Sequence, residues 1–192
     1  MTDPRIADAR TRLDAHLCEI IAWHFSPETG TPVWLDFAKT CGFDPRRDVQ
    51  GFDDLVRLFP NFDGERLRQD PHELWIPRAL QGRPFTIFET GGTTGMPKQR
   101  IGWDDYKRDY ELFSQTLDER SFPRGGYWLM VGPTGPRRLR LAIEHLANFR
   151  GSSCYFVDLD PRWVKKLIGR GEHAEVKAYM AHVVEQATLL LK

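Results

Sequence analysis

The sequence has no excess of charge of either sign, few cysteines and no long apolar run. Its 27 lysine and arginine residues balance 27 aspartate and glutamate residues, so no overall field favours nucleic acid or an anionic membrane as a partner. Three cysteines without a CxxC pair, Cys18, Cys41 and Cys154, argue against a zinc site and favour a reducing compartment. No stretch approaches the roughly 20 apolar residues of a membrane span, and no signal-peptide pattern is present. We therefore expect a cytoplasmic protein that binds neither nucleic acid nor membrane.

The composition is that of an ordinary globular protein, and its histidines do not suggest a metal site. Hydrophobic residues make up 41% of the chain and aromatic residues 12%, which is enough for a folded core. His16 and His24 fall in one predicted helix, where their spacing corresponds to about 12 Å, too far apart to share an ion. We expect no metal ligands from the protein itself.

The first 80 residues have the pattern of helices joined by loops. Asp3-Pro4 and Thr31-Pro32 each combine a capping side chain with a proline suited to the first helical turn. Apolar residues recur at helical spacing after these starts, and shorter helical patterns follow them. The predicted helices span 3–25, 31–42, 52–58 and 63–69. We therefore interpret residues 1–80 as a helical N-terminal region.

From residue 81 onward, strand-like segments alternate with helical ones. PFTIFE, YWLMVG and CYFVDL are rich in β-branched and aromatic residues and predict buried strands at 84–89, 127–132 and 154–159. Helical patterns separate and follow these strands, at 103–117, 136–149, 160–169 and 173–191. Because alternating strands and helices are typical of parallel sheets, we expect an α/β fold with a mainly parallel sheet over residues 81–192.

A loop rich in glycine and threonine follows the first predicted strand. In ETGGTTGMPKQR, residues 89–100, the glycines can turn consecutive backbone amides toward a phosphate, and the threonines and lysine add donors and charge. The segment is not a Walker loop, because Pro97 precedes the lysine, and it lacks the GxGxxG spacing. It predicts a polyphosphate site, with a flexible connection between two strands as the alternative. The candidate binding residues are Thr90, Gly91, Gly92, Thr93, Thr94, Gly95 and Lys98.

This loop resembles the signature of adenylate-forming (AMP-binding) enzymes, [ST]-G-[ST]-T-G-x-P-K. Residues 92–98 match its last seven positions, whereas Gly91 stands where the family has serine or threonine. The stretch 42–71 looks like the region before that loop in the phenylacetate-CoA ligase branch. The resemblance implies that 81–192 is an incomplete nucleotide-binding subdomain within the large N-terminal domain of such enzymes.

The resemblance also implies a reaction, ATP-dependent carboxylate activation. In that family the loop grips the outer phosphates of ATP while a carboxylate attacks the α-phosphate, giving an acyl-adenylate and pyrophosphate. The implied cofactors are ATP and Mg²⁺, with coenzyme A as one candidate acceptor, and the implied partner is a small carboxylic acid, by analogy an aromatic one. Pyrophosphate contact would fall to Thr93, Thr94, Gly95 and Lys98, and no catalytic residue is assigned.

Motifs that complete an adenylate-forming enzyme have no counterpart after Lys98. These are an aromatic-Gly-x-[TA]-E segment, a ribose-binding aspartate, a hinge and a C-terminal domain with a catalytic lysine. We therefore expect this chain to be inactive alone and to form part of a longer enzyme, or a subunit completed by another chain or by a second copy. The alternative is a non-catalytic phosphate- or acyl-binding module that retains the loop.

A second candidate segment, GPTGP, begins at the end of the second predicted strand. Ligands of open α/β sheets bind at such strand ends, and the resemblance implies that Gly132, Pro133, Thr134 and Gly135 wall an acyl pocket. The alternative is a turn that starts the next helix, with Pro136 in its first position.

Two groups of charged side chains have both a functional and a structural interpretation. Arg137, Arg138 and Arg140 fall in the first turn of a predicted helix, where they could mark an anion or be solvated surface residues, and we favour the second. Asp158 and Asp160 follow the third strand, where they could meet Mg²⁺. Helix capping explains Asp160 without an ion, and we favour that interpretation.

Overall fold

The computed structural model describes residues 3–90, 95–135 and 138–192. The chain divides into two compact units, Met1–Pro84 (unit 1) and Phe85–Lys192 (unit 2), whereas the sequence analysis placed the boundary at residue 80. The described residues form a mixed α/β fold, with helices in both units and strands in unit 2. None of the described helices combines the length and the hydropathy that a membrane crossing needs.

Unit 1 is built from helices and short 3-10 turns. Asp3 caps the first helix as predicted, accepting a hydrogen bond from the amide of Arg5 at 2.9 Å. Two 3-10 turns, His72–Trp75 and Arg78–Leu80, follow the last helix of the unit. The helices are α1 (Pro4–His24), α2 (Pro32–Ala38), α3 (Pro45–Asp48), α4 (Phe52–Leu58) and α5 (Arg66–Gln69).

Thr31 does not cap α2 with its side chain, although the sequence suggests that it would. Its hydroxyl instead lies 2.8 Å from Nδ1 of His24, so it connects α2 to the end of α1. Pro32 still occupies the first helical turn, but α2 ends at Ala38, four residues before the predicted end. The α3 helix was not predicted, and Asp44 caps it by accepting from the amide of Arg46 at 3.0 Å.

The core of unit 1 is aromatic. Ile21, Phe25 and Val49 are buried at its centre. Rings from α2 and from the loops around α3 and α4 pack around them in edge-to-face, tilted or stacked pairs, with centroids 5.3 to 6.3 Å apart. Such pairs add stabilisation beyond the area that they bury. These rings belong to Trp34, Phe37, Phe43 and Phe59.

The described residues of unit 2 form two separate pairs of strands, one antiparallel and one parallel. Strands β1 (Thr86–Glu89) and β2 (Gln99–Gly102) form an antiparallel hairpin, whereas β3 (Tyr127–Gly132) and β4 (Ser153–Asp158) pair in parallel. The α/β class is therefore correct, but the expectation of a mainly parallel sheet is wrong for β1. Its partner β2 was missed because QRIG is short and mostly polar.

Helix α7 makes the crossover that the parallel pair requires. Its buried residues are Ala142, Leu146 and Ala147, and the helix packs against α6 as well as against both strands. Met130 on β3 and Val157 on β4 are buried on the two sides of the pair. The helices of unit 2 are α6 (Asp105–Ser114), α7 (Arg138–Phe149), α8 (Pro161–Gly169) and α9 (His173–Leu190).

Candidate functional site

The glycine-rich loop, residues 90–98, connects the two strands of the β1–β2 hairpin. The amide of Thr90 donates to the carbonyl of Lys98 at 3.0 Å, and the amide of Lys98 donates to the hydroxyl of Thr90 at the same distance. This pair extends the ladder by one step beyond Glu89 and Gln99 and closes the base of the loop. The predicted binding residues Gly91, Gly92, Thr93 and Thr94 lie outside the described residues.

Gly95 has a backbone conformation that other residues rarely adopt. Its φ is +134°, and a Cβ placed there would have no described atom within 4 Å. The backbone conformation, and not close packing, therefore favours glycine at this position. Glycine at this position allows the returning arm of the loop to reach Lys98.

The second candidate segment, residues 132–135, is attached to the end of β4. Gly132 and Asp158 are opposite each other in the parallel register, at the carboxyl ends of β3 and β4. Both the amide and the hydroxyl of Thr134 donate to Oδ1 of Asp158 at 2.9 Å. Asp158 therefore holds this segment in place, and Pro133 and Gly135 flank the contact. Pro136, the predicted first-turn residue of α7, and Arg137 lie outside the described residues.

The residues between β4 and α8, 158–162, form a junction that the sequence analysis did not treat as one site. Asp160 caps α8, as predicted, by accepting from the amide of Arg162 at 2.9 Å, with Pro161 in the first turn. The guanidinium of Arg162 reaches back to the hairpin, where Nη1 lies 3.4 Å from Oε2 of Glu89. An Asp-x-Asp-Pro sequence directly after a strand was the available signal for this junction.

The β4–α8 junction thus contacts both segments that the sequence singled out. Thr134 binds it through Asp158, and the base of the glycine-rich loop meets it through Glu89 and Arg162. Carboxyl ends of parallel strands are where α/β proteins commonly bind ligands. Through these contacts Thr134, Glu89 and Arg162, which come from three segments of unit 2, lie at one end of the parallel pair.

The arginines at the start of α7 are engaged with side chains of unit 2. Arg138 forms ion pairs with Asp105 at 3.0 Å and with Asp109, both on α6. Arg140 pairs with Glu144 at 3.3 Å, and its guanidinium carbon lies 4.9 Å from the ring centroid of Phe156. These contacts, rather than full solvation or an external anion, account for the two charges that the structure describes.

A cavity of about 300 Å³ lies beside the hairpin and is lined by charges of both signs. Arg100 and Arg138 balance Asp105 and Asp109 around a floor that includes Phe88. Gly102, next to this cavity, allows a close approach, since a Cβ there would lie 2.9 Å from the ring of Phe88. The balanced charges give the cavity no preference for an anion.

The described residues contain no cluster of three His, Cys, Asp or Glu side chains that could hold a metal ion. Mg²⁺ commonly binds through one or two carboxylates together with the phosphates of its nucleotide.

No family model matches the chain, and no protein of curated function matches it at a significant level. The resemblance to adenylate-forming enzymes therefore rests on the loop sequence, and the function that it implies remains a prediction.

Proposed function

We propose that this chain contributes the phosphate-gripping part of an adenylate-forming enzyme that activates a carboxylic acid with ATP. The single observation that supports the proposal is the loop sequence Gly92–Lys98. It connects the strands of a hairpin whose base is closed by the Thr90–Lys98 pair. A glycine-rich turn with threonine hydroxyls and one lysine suits a polyphosphate because such groups neutralise charge without covalent chemistry.

In the proposed reaction a carboxylate oxygen of the acid bonds to the α-phosphorus of ATP, and the bond to the β-phosphate oxygen breaks. Pyrophosphate leaves with the negative charge that develops on it. Donors placed in advance around the departing phosphates lower the barrier because they do not have to reorganise during the reaction. The loop, 90–98, would supply these donors, and Lys98 would add a positive charge.

The proposal also gives a place to Mg²⁺, to the carboxylic acid and to the acyl acceptor. ATP would bring Mg²⁺ as its own counterion, and residues 132–135 would flank the acid at the end of β3. The acyl acceptor, for which coenzyme A is one candidate, would approach a site completed by the rest of a longer enzyme or by a partner chain. The fold proposed for the whole is the large N-terminal domain of that enzyme class.

Two measurements test this function. The first is binding of pyrophosphate and of MgATP to this chain by calorimetry, comparing the native sequence with Lys98→Met and with Lys177→Met as a control. Lys177 is exposed on α9, outside the proposed site. We expect the native chain to bind both ligands. Lys98→Met should weaken binding about tenfold or more, because one charged contact is lost, and Lys177→Met should leave the affinity unchanged. Absence of binding in the native chain, or equal affinities in all three proteins, would contradict the proposal.

The second measurement is carboxylate-dependent exchange between ATP and pyrophosphate, with a panel of aromatic and aliphatic acids. Exchange by a longer native form, or on mixing with a partner chain, supports the enzymatic proposal. Phosphate binding without exchange in any form supports the alternative, a non-catalytic phosphate- or acyl-binding module. That alternative draws support from Thr134 in the proposed acyl-binding segment. Its amide and hydroxyl both donate to Asp158, so these two donors are engaged within the protein rather than with an acid.

A further inference from the structure

Glu89 connects the glycine-rich loop to helix α8. It is the last residue of β1, directly before Thr90, and only 20% of its side chain is exposed. Oε1 accepts a hydrogen bond from Nε2 of Gln99 on β2 at 3.1 Å, and Oε2 faces Nη1 of Arg162 at 3.4 Å. One carboxylate therefore joins both strands of the hairpin to the first turn of α8.

Arg162 is held from the other side by the start of its own helix. Its amide donates to Oδ1 of Asp160 at 2.9 Å, and its Nε lies 4.0 Å from the same oxygen. The amide of Asp160 in turn donates to the hydroxyl of Tyr179 on α9 at 2.9 Å. The guanidinium that meets Glu89 thus projects from a turn that is fixed to two helices.

We propose that Glu89 and Arg162 are positioning residues that hold the base of the glycine-rich loop, Thr90 and Lys98, at the carboxyl end of the parallel pair. This inference rests on the proposed function, because it names what orients the loop for phosphate. Thr90 directly follows Glu89, and Lys98 directly precedes Gln99, the other partner of the Glu89 carboxylate. The hydrogen bonds between Thr90 and Lys98 form the base of the loop, so a small rotation of the hairpin would displace this base. A displacement of about 1 Å is enough to impair the function of a binding or catalytic group.

The sign of one substitution separates positioning from simple electrostatics. Glu89→Gln removes a negative charge close to a proposed phosphate site, so charge alone predicts tighter binding of an anion. Positioning predicts weaker binding, because the ion pair that orients the hairpin is lost while the amide can still meet Gln99. Arg162→Met weakens binding under both explanations and is therefore less informative.

The test measures pyrophosphate binding by four proteins. These are the native full chain, the single variant Glu89→Gln, the double variant that combines Glu89→Arg with Arg162→Glu, and a control variant. The control is Glu144→Gln, which breaks the Arg140–Glu144 ion pair of similar length, 3.3 Å, on α7. We expect Glu89→Gln to weaken binding about three- to tenfold. The charge exchange should recover most of that loss, and the control should bind like the native chain. Equal or tighter binding by Glu89→Gln would overturn the inference.

Hydrogen exchange of the Thr90 and Lys98 amides gives a second measurement that needs no ligand. We expect both amides to exchange several times faster in Glu89→Gln than in the native chain, because the base of the loop opens more often. If the native chain binds no pyrophosphate, the proposed function fails while this measurement still decides whether Glu89 anchors the loop. Unchanged exchange at both amides would overturn the anchoring role.

Discussion

Arg150, which follows α7, has a charged side chain with 0% of its surface exposed. Its Nη1 donates to the carbonyl and to the hydroxyl of Ser114, each at 3.0 Å, and its Nη2 donates to the carbonyl of Phe122 and to Glu119. Ser114 ends α6 and Phe122 lies in the loop before β3. Arg150 therefore joins three segments of unit 2 from inside.

Arg150→Ala should lower the free energy of unfolding of unit 2 by about 3–5 kcal/mol. The carbonyls of Ser114 and Phe122 each lose a charged donor, and a hydrogen bond to a charged group is worth about 1.5–3 kcal/mol. Glu119 contributes little to this sum, since its side chain is 58% exposed and exposed ion pairs are worth about 1 kcal/mol or less. Arg150→Lys, which keeps the charge but not the planar fork, should lose a smaller amount.

Arg124 provides a matched control because it pairs with the same carboxylate. Its Nε lies 3.2 Å from Oε1 of Glu119, but its side chain is 60% exposed. Arg124→Ala should therefore cost about 0.5 kcal/mol. The stability of unit 2 alone can be measured by hydrogen exchange of the β3 peptide at increasing denaturant concentrations, because β3 belongs to unit 2. Similar losses in the Arg124 and Arg150 variants would refute the assignment of the stabilisation to the carbonyl contacts of the buried Arg150 side chain.

Three further predictions concern single residues. Burial lowers the pKa of His24, so the stability contributed by its neutral ring is present above about pH 6.5 and is lost as the pH falls through the lowered pKa. Unfolding of unit 1 measured from pH 8 to pH 5 should show this loss, and His24→Asn should reduce it. Gly95→Ala should destabilise unit 2 by about 1–3 kcal/mol, because φ at Gly95 is outside the range of alanine; an unchanged thermal midpoint would contradict this. Burial raises the pKa of the Cys154 thiol, so its alkylation at pH 8 should be slower than that of a free thiol in solution and should accelerate toward pH 10, measured by peptide mapping.

Helix starts were predicted well where the signal is local. Asp3 and Asp160 each accept from an amide two residues later, as an aspartate before a proline suggests. Thr31 shows the limit of such signals, since a histidine from α1 competes for its hydroxyl. The prediction of a cap considers only the adjacent helical turn, whereas the capping side chain can also bind a distant residue that the fold brings close.

Strand pairing was predicted less well, because partners are distant in sequence. The apolar segments of β3 and β4 were clear, and their parallel register is compatible with the helix between them. Strand β2 was missed because it begins with a polar residue, Gln99, and ends with a glycine, Gly102. Gln99 binds Glu89, and Gly102 leaves room for the ring of Phe88. Both features become meaningful only once the hairpin is formed.

By itself the sequence determined most element positions, because capping and periodicity act over a few residues. Only the tertiary structure decided that Thr134 and Glu89 both meet the β4–α8 junction, through Asp158 and Arg162. It likewise decided that Arg150 is buried rather than solvated. These contacts join residues 24 or more positions apart, and no local preference of the chain specifies which distant partner each side chain will find.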